Sequence, residues 1–332
     1  MPADIPPATW PVLSALRMFL AVVVVCNHMS IFAAMPRPYE FLHSLSGVDA
    51  VLLFLFISGY SIAHSVTKEA SGFYRRRWWR IMPVYWVCMI VAVVPYWMHG
   101  AGLHAPHFGI KLLGSARAFP YHLLPLDALR VPPLWSNPAT WSLGVEVVLY
   151  ALAPLLLRWR TPWVVAVMVV SAAWYAKTPW VDGHHWVFPM DTVLKFGWAW
   201  LAGFVYYRHS RALWAQLLPF LAWFEVTRYS LFHQPHGITM CLVFGVLIVA
   251  LRYLPAVRSK AVPVLHWLGD VSYPLYLIHM PVMWIIWIAC RSMSSNLYFA
   301  ATIAAAVVIY HAVDLPARAA VKKLTYACQP RV

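Results

Sequence analysis

Arg17 and His28 are two ionisable residues that lie eleven positions apart within one apolar run of the sequence. Eleven residues make roughly three helical turns, so both side chains fall on one stripe of a helix, about 16 Å apart. Ionisable groups inside a membrane segment are costly and usually face a cavity or a partner. The pair therefore indicates a cation that anchors a charged ligand and an imidazole that handles protons. The alternative is that Arg17 extends to the membrane interface and that His28 is a packed core residue.

A second cluster places four arginines within six residues, in the segment Arg75-Arg-Arg-Trp-Trp-Arg80. Arg77 and Arg80 are three residues apart and therefore share one face of a helix. The planar guanidinium of arginine matches a phosphate through paired hydrogen bonds, and an acyl-coenzyme A carries several phosphates. We therefore predict that Arg77 and Arg80, together with Arg17, bind acyl-coenzyme A. The alternative is that these charges only orient the chain in a membrane.

A carboxylate, Glu146, lies well inside another apolar run. An unpaired carboxylate at this depth costs a few kcal/mol, so a role for it is expected. Ser142, Glu146 and Tyr150 follow one another at four-residue intervals and form one polar stripe. Counting depth from the predicted span ends places Glu146 and His28 in the same half of the bilayer, so we expect them to meet as an acid/base pair. A structural hydrogen bond from Glu146 to another helix is the alternative.

A further imidazole, His279, lies in the middle of a later apolar run. Tyr276 shares its helix face at three residues' distance. Pro281 follows closely, and a proline in a membrane helix commonly loosens the backbone toward a cavity. Both a packing role and a functional role remain open for His279.

The composition assigns the chain to membrane proteins. Of its 332 residues, 62% are hydrophobic and only 11% are charged, whereas soluble domains are close to half apolar and a quarter charged. The 19 Trp and 17 Tyr fit the aromatic belts of membrane interfaces. The net charge of +14 is dispersed among apolar segments rather than gathered on one basic face, so we expect no nucleic-acid partner.

Windows of about twenty residues predict an all-α polytopic membrane protein with about ten transmembrane helices. We expect one domain over residues 1–332 and no appended soluble domain. The first stretch follows an acidic, proline-rich leader, so we expect a retained helix rather than a cleaved signal peptide. The predicted spans are 12–34, 48–66, 80–98, 138–157, 163–180, 190–207, 213–231, 237–254, 270–290 and 297–317.

The distribution of basic residues predicts the orientation of these spans. With ten spans and the amino terminus in the cytoplasm, most Lys and Arg fall on the cytoplasmic side, as the positive-inside rule requires. Both termini are then cytoplasmic. The cytoplasmic set is Lys68, Arg75, Arg76, Arg77, Arg80, Arg158, Arg160, Arg208, Arg211, Arg252, Arg258, Lys260, Arg318, Lys322, Lys323 and Arg331. The outer set is mainly Arg37, Lys111, Arg117, Arg130 and Arg291.

The longest predicted loop, residues 99–137, falls on the outer side and carries four histidines among prolines and aromatic residues. Its composition suits a partly ordered cap over a cavity. The histidine spacing matches no common metal site, so we predict no bound metal. The five cysteines show no CxxC pair, and we interpret those in apolar runs as core residues rather than nucleophiles.

Five segments, taken together and in order, resemble the acyltransferase-3 family of bacterial membrane proteins, which acylate sugars of envelope glycans and some small molecules. Each segment alone is weak, but five in the expected order are specific. The segments are Arg17-x10-His28, Ile57-Ser-Gly-Tyr60, the arginine-rich run Arg75 to Tyr85, Trp141-Ser-Leu-x-x-Glu146-x3-Tyr150, and Gly269-x2-Ser-Tyr-x2-Tyr-Leu-x-His279-x-Pro281.

The resemblance implies transfer of an acyl group, most often acetyl, from cytoplasmic acyl-coenzyme A to a glycan hydroxyl, with no permanently bound cofactor. His28 would remove the proton of the acceptor, and Glu146 would orient the imidazole; a covalent acyl-histidine route remains open. A multi-pass protein of the bacterial cytoplasmic membrane is implied, in contact with lipids and a glycan or polysaccharide, with a polysaccharide-assembly complex as an open partner. The residues expected to support the site are Ser58, Trp141, Ser142, Tyr150, Tyr273 and His279.

The chain departs from the family pattern at one position. Family members often have Asp six residues before the Ser-Gly-Tyr serine, where this chain has Leu52, and the nearest acid is Asp49. No role is therefore carried over to that position. Some members also continue into a soluble esterase-like domain, which we do not expect here.

Two other classes of protein compete with an acyltransferase. A transporter also uses intramembrane His, Arg and Glu, but the phosphate-suited arginines and the absence of a detectable internal repeat argue against it. A structural scaffold for polysaccharide assembly would leave Glu146 and His28 unexplained.

Overall fold

A computed structural model of the chain describes residues 5–126, 134–178, 190–228, 234–257, 260–291 and 293–327, with the side chains of 118 and 322–327 left undescribed. The described residues fold into α-helices joined by short 3-10 turns and loops. The helices are α1 (Thr9–Met29), α2 (Tyr39–His43), α3 (Gly47–Lys68), α4 (Phe73–His99), α5 (Thr140–Arg158), α6 (Thr161–Lys177), α7 (Asp191–His209), α8 (Leu221–Arg228), α9 (Pro235–Ala250), α10 (Val262–Cys290), α11 (Ser295–Ile309) and α12 (Leu315–Ala327), with a π-helical turn Tyr310–Asp314 joining the last two.

Seven helical stretches among the described residues are long and apolar enough to cross a membrane. They confirm the predicted all-α fold with several membrane-spanning helices, although fewer than ten helices meet this criterion. The stretches are Thr9–Met29, Gly47–Lys68, Phe73–His99, Thr140–Arg158, Pro235–Tyr253, Val262–Cys290 and Ser295–Val321.

The remaining three predicted spans differ from these seven. Helix α6 has 17 residues, and α7 has 19 residues but carries three charged side chains, Asp191, Lys195 and Arg208. The described part of the predicted span 213–231 is not one α-helix, because a 3-10 helix ending at Phe220 is followed by the 8-residue α8. Pro219 lacks an amide proton and its ring collides with the preceding turn, which breaks the α-helix there.

Several residues used in the sequence predictions lie outside the described part of the chain. These include positions 179–180 and 229–231 at the ends of predicted spans, and residues 127–133 of the outer loop. The basic residues Arg130, Arg258 and Arg331 belong to the same group, as does Cys328.

Helices α3 and α7 pack with their backbones in contact at two glycines. A Cβ atom on Gly59 would lie 1.9 Å from the carbonyl oxygen of Trp200, and one on Gly203 would lie 1.9 Å from that of Phe56. Small residues permit this close approach between membrane helices. The glycine of the Ile57-Ser-Gly-Tyr60 segment is therefore a packing residue that fixes where α3 lies.

Two hydrophobic clusters form the interior. One joins α1 and α3 to helices α5–α9, and the other joins α1 to α4, α10 and α11. Helix α1 contributes to both clusters and therefore lies at the boundary between the two halves of the bundle. A cavity at this boundary is enclosed by helices from both halves.

The described part of the loop after α4, residues 100–126, is tied to the helices by hydrogen bonds. The Tyr85 hydroxyl donates to the carbonyl oxygen of His122 at 2.8 Å, and the Trp287 indole donates to that of His104 at 3.1 Å. These contacts hold the loop against α4 and α10. Among the described residues, no group of three or more His, Cys, Asp or Glu is close enough to hold a metal ion.

Candidate functional site

A cavity of about 930 Å³ lies between α1, α3, α4, α5 and α10. Among the described residues that line it, the charged ones are Arg17, Arg77, Arg80 and Glu146, so three formal positive charges face one negative charge. This excess attracts a ligand with several negative charges. Eight of the eleven predicted site residues line this cavity, namely Arg17, Ser58, Arg77, Arg80, Ser142, Glu146, Tyr150 and Tyr273.

Arg77 lines the cavity, and no carboxylate in the described part of the chain pairs with it. Its Nε atom is buried and has no hydrogen-bond partner among the described residues. The guanidinium carbon lies 5.7 Å from the centroid of the Phe73 ring, which holds the side chain over an aromatic face. A buried guanidinium with unused donors is costly, so the site is prepared for an anion that supplies acceptors.

Arg17 points from α1 across to α3. Its Nη2 atom donates to the Ser61 hydroxyl at 2.7 Å, and that hydroxyl donates in turn to the carbonyl oxygen of Ile57 at 2.7 Å. The side chain is therefore directed from α1 toward α3. Because its described partner is a neutral hydroxyl, the charge of Arg17 stays uncompensated by that bond.

Arg80 is held by an ion-pair network that the sequence analysis did not predict. Its Nη2 atom lies 3.2 Å from Asp270 Oδ1, and Arg318 Nη1 lies 2.7 Å from the same oxygen. Arg318 Nε also donates to Asp314 Oδ1 at 2.7 Å. Asp314 closes the π-helical turn after α11, a local irregularity that is frequent at functional sites. An acid in an apolar span with an arginine four residues later was the available signal for this network.

Glu146 is hydrogen-bonded within the cavity wall. The Tyr150 hydroxyl donates to Glu146 Oε2 at 2.9 Å, and Ser58 Oγ lies 2.8 Å from the same hydroxyl. A tyrosine hydroxyl carries one proton, so Ser58 must donate to Tyr150. A relay Ser58–Tyr150–Glu146 therefore connects α3 to α5 and leaves lone pairs on the carboxylate.

His28 is paired with His279, not with Glu146. His28 Nδ1 lies 2.9 Å from His279 Nε2, and the two rings are stacked with centroids 5.0 Å apart. The predicted contact between His28 and Glu146 is wrong: Glu146 bonds Tyr150 and lines the cavity, whereas His28 does not line it. His28 is one residue from the end of α1, and Glu146 is six residues, about 9 Å, inside α5.

Tyr276 lies between the cavity and the histidine pair. It lines the cavity, and its ring centroid is 6.1 Å from that of His279, which does not line it. Its hydroxyl lies 2.6 Å from Ser142 Oγ and donates to the carbonyl oxygen of Ala139 at 3.1 Å. These bonds to the start of α5 hold the phenol ring in place.

Asn137 secures α10 next to the histidine pair. Pro281 has no amide proton, so the carbonyl oxygen of Leu277 loses its usual helical donor. The Asn137 side-chain amide donates to that oxygen at 2.9 Å instead. Helix α10 consequently continues through the proline without a break, and Asn137 fixes the backbone two residues before His279. In the sequence, Pro281 indicates a carbonyl oxygen without its helical donor, and Asn137 before Pro138 is a candidate donor for it.

The other predicted residues have supporting positions. Trp141 does not line the cavity; its ring packs 4.5 Å from that of Phe196 in the α5–α7 contact. Tyr273 lines the cavity and donates to the carbonyl oxygen of Ile81 at 3.0 Å. Asp49 is the acid nearest to Leu52, the position where family members often have Asp. It is fully buried in the first turn of α3 and does not line the cavity.

Comparison with known proteins gives a family match and two relatives. A family whose description reads "Acyltransferase domain" matches residues 10–311. The chain is 25% identical over 316 residues to "Nodulation protein 10" of Rhizobium leguminosarum bv. viciae, with 81% of each chain covered. It is 23% identical over 322 residues to "Peptidoglycan O-acetyltransferase OatA" of Listeria monocytogenes, covering 82% of this chain and 49% of that protein. No solved structure matches the chain significantly.

Proposed function

Because the chain belongs to the acyltransferase-3 family, we propose that it transfers an acetyl group from acyl-coenzyme A to a hydroxyl of an envelope or exported glycan. The observation that carries this proposal is the cavity in which Arg17, Arg77 and Arg80 face a single carboxylate. A relative that is a peptidoglycan O-acetyltransferase supports both the acetyl group and a glycan acceptor. The protein acts in the inner membrane of a bacterium, with ten spans and both termini in the cytoplasm.

The three arginines hold the phosphates of the donor. Arg77 offers unused donors to an anion, and Arg17 adds a second charge from the opposite wall. Arg80 is kept at the cavity by Asp270, which uses only one of its five N–H donors. Charge-assisted bonds from arginine to phosphate are among the strongest hydrogen bonds in proteins, so this set favours a polyphosphorylated ligand over a neutral one.

The pantetheine arm then runs along the cavity toward Tyr276. The wall on this path changes from arginines to the hydroxyls of Ser58, Ser142 and Tyr150. Arg17 and His28 are eleven residues apart on α1, a distance of about 16 Å that an extended arm spans. Tyr276 must shift for the thioester to reach His28, because its ring lies at the boundary between the cavity and the histidine pair.

His28 serves as the general base, and His279 orients it. With the His28 Nδ1 proton donated to His279 Nε2 across their 2.9 Å contact, His28 Nε2 keeps a lone pair. That nitrogen takes the proton of the acceptor hydroxyl as its oxygen attacks the thioester carbon. The C–S bond breaks, and the departing thiolate recovers the proton from His28. His279 thus takes the orienting role first expected of Glu146.

Glu146 has a different task in this scheme. It is bound by Tyr150 at one oxygen and retains lone pairs that face the cavity. A carboxylate there accepts a hydrogen bond from an amide N–H of the donor arm and limits the positive charge of the wall. Its removal should therefore weaken donor binding rather than abolish the chemical step.

The test uses purified protein in detergent with labelled acetyl-coenzyme A. The wild-type protein should bind the donor and hydrolyse it slowly, and His28→Ala should lose hydrolysis while it retains binding. Equal donor turnover in the two proteins would contradict the role of His28. Binding of neither acetyl-coenzyme A nor coenzyme A would contradict the function as a whole. Mass spectrometry of glycans from a deletion strain and its parent, which should differ by acetyl groups, identifies the acceptor.

A further inference from the structure

A second cavity of about 600 Å³ lies on the opposite side of the α1–α3 contact from the arginine-lined cavity. It is bounded by the start of α1, by α3, and by the chain just after α7 and α9. The two cavities use different faces of the same helices. On α3, for example, Ile57 and Tyr60 line the second cavity, whereas Ser58 and Ser61 line the first.

One end of this second cavity is positively charged. Arg211 and Arg252 line it, and none of the described residues lining it is acidic. Arg252 is placed by a hydrogen bond from Nη2 to the carbonyl oxygen of Ser210 at 3.2 Å. Its guanidinium carbon also lies 5.8 Å from the Tyr253 ring centroid. Two cations in a described lining that includes no acidic residue make an anion the complementary ligand.

The amino terminus of α1 adds to this positive end. Helix α1 begins at Thr9 with no side-chain cap and no acidic residue in its first turn. Thr9 lines the cavity, is 2% exposed, and its hydroxyl has no hydrogen-bond partner among the described residues. A helix amino terminus carries partial positive charge and free N–H groups that favour an anion. An unsatisfied buried hydroxyl at this position is consistent with a ligand that completes its bonding.

The remaining wall of the cavity is apolar. Leu13, Phe56, Ile57, Ile248 and Leu251 line it. A hydrocarbon chain packed against these side chains gains free energy because apolar surface is removed from water, whereas a hydrated ion gains none in this way. An inorganic phosphate alone would leave this apolar wall without a partner.

The cavity borders the ends of two candidate membrane spans. Thr9 is the first residue of one candidate membrane span, and Arg252 is next to the last residue of another, Pro235–Tyr253. Because both residues line one cavity, these two span ends lie at the same membrane boundary. Basic pockets between helix ends at this level bind the head groups of anionic lipids.

We propose that this cavity binds one anionic phospholipid, with its phosphate between Arg211 and Arg252 and one acyl chain along the apolar wall. The lipid would fill the space between α1, α3, α7 and α9 and stabilise that side of the bundle by mass action. This site is separate from the donor cavity, and the proposal does not depend on acyl transfer.

The test is native mass spectrometry of the purified full chain, equilibrated in detergent with phosphatidylglycerol or with phosphatidylcholine of the same acyl chains. One phosphatidylglycerol should remain bound, about tenfold in excess over phosphatidylcholine. Arg211→Gln combined with Arg252→Gln should remove this preference. The matched control is Arg158→Gln combined with Arg160→Gln, which removes the same charge from exposed positions at the end of α5 and should leave the preference intact.

Two further measurements test the same site, a competition with inorganic phosphate and a substitution of Thr9. Inorganic phosphate at the same phosphorus concentration should not displace the lipid, and equal displacement would show a small-anion site and overturn the proposal. If the double variant does not remain monodisperse, Thr9→Val provides the test, because it removes one hydroxyl and should lower the phosphatidylglycerol preference about threefold. Unchanged preference in whichever variant is measured, or equal binding of both lipids by the wild-type protein, also overturns it.

Discussion

The ionisable side chains buried in α7 and those around the arginine-lined cavity are held in opposite ways. In α7, Lys195 Nζ lies 2.8 Å from Asp191 Oδ2, and the Trp174 indole donates to the other oxygen at 2.8 Å. Each charge there has a partner of opposite sign. Around the cavity, the hydrogen bond of Arg17 within the described part of the chain goes to a hydroxyl, and Arg77 keeps a buried nitrogen that no described residue bonds.

The difference shows that burial of a charge does not by itself indicate function. Removal of one partner from a closed pair such as Asp191–Lys195 leaves the other charge buried and uncompensated, so it should lower stability. An open set of like charges destabilises the ligand-free protein, and such a cost is expected where a ligand must be bound. The two regions should therefore give opposite results on mutation, with loss of activity at one and loss of stability at the other.

The largest effect is expected at the histidine pair. His28→Ala should lower kcat by about 10²- to 10⁴-fold, the usual contribution of a positioned general base, without lowering the melting temperature. The measurement is acetyl transfer or donor hydrolysis together with a thermal melt in detergent. If the melting temperature falls as far as it does in the Lys195→Met variant, His28 has a structural role and the contrast between the two regions is wrong.

The next effect is a loss of stability in α7. Lys195→Met leaves Asp191 as an uncompensated buried charge and should lower the free energy of unfolding by about 3–5 kcal/mol. Activity per folded molecule should stay unchanged, because neither residue lines the cavity. Chemical unfolding in detergent measures the stability, and Lys195→Met combined with Asp191→Leu should recover most of it. Failure of this double variant to recover would show that the pair is not closed.

A smaller effect is expected for the unpaired arginine. Arg77→Ala should raise the donor KM about 10- to 100-fold, because charge-assisted hydrogen bonds contribute about 1.5–3 kcal/mol each. The kcat should change little, and stability should rise or stay constant because an uncompensated charge is removed. Arg75→Ala, on the same helix but exposed, is the matched control and should leave KM unchanged. Equal KM values for the two variants would favour the alternative that Arg77 only helps to orient the chain in the membrane.

The smallest effect is expected where the two kinds of arrangement meet. Asp270 ties Arg80 of the cavity to the closed pair Arg318–Asp314. Asp270→Asn should raise the donor KM by about threefold. The Arg80 side chain would no longer be held by an ion pair, and ordering it on donor binding would cost under about 1 kcal/mol of conformational entropy. Asp270→Glu should restore much of the loss. A fall in kcat with KM unchanged would show that Asp270 acts elsewhere than on donor binding.

The sequence predicted the composition of the cavity better than the pairing of its groups. Arg77 with Arg80, and Ser142 with Glu146 and Tyr150, were expected to share helix faces, and all five line one cavity. Such predictions succeed because a helix places residues three and four apart on one side regardless of its neighbours. The ion-pair network around Arg80 was missed, because its partner Asp270 is 190 residues away in sequence. The next members, Asp314 and Arg318, lie farther still, in the π-helical turn and in α12.

The number of spans and the helix ends were harder to predict from hydropathy. Residues 213–231 are apolar enough to resemble a span, yet Pro219 and a 3-10 turn divide them. Helix α1 ends at Met29, five residues before the predicted end of its span at residue 34. Hydropathy averages over about twenty residues, so it locates a helix but not the residue at which the helix ends.

The sequence by itself determined that this is a helical membrane protein of the acyltransferase-3 family and which side chains share each helix face. Composition and helical periodicity are local properties, so they do not depend on how the helices are arranged. Only the tertiary structure decided that His28 meets His279, that Asp270 links Arg80 to Arg318, and that Arg77 is left unpaired. These outcomes depend on helix ends and on close approaches such as that of Gly59 to Trp200, which arise from packing between segments far apart in sequence.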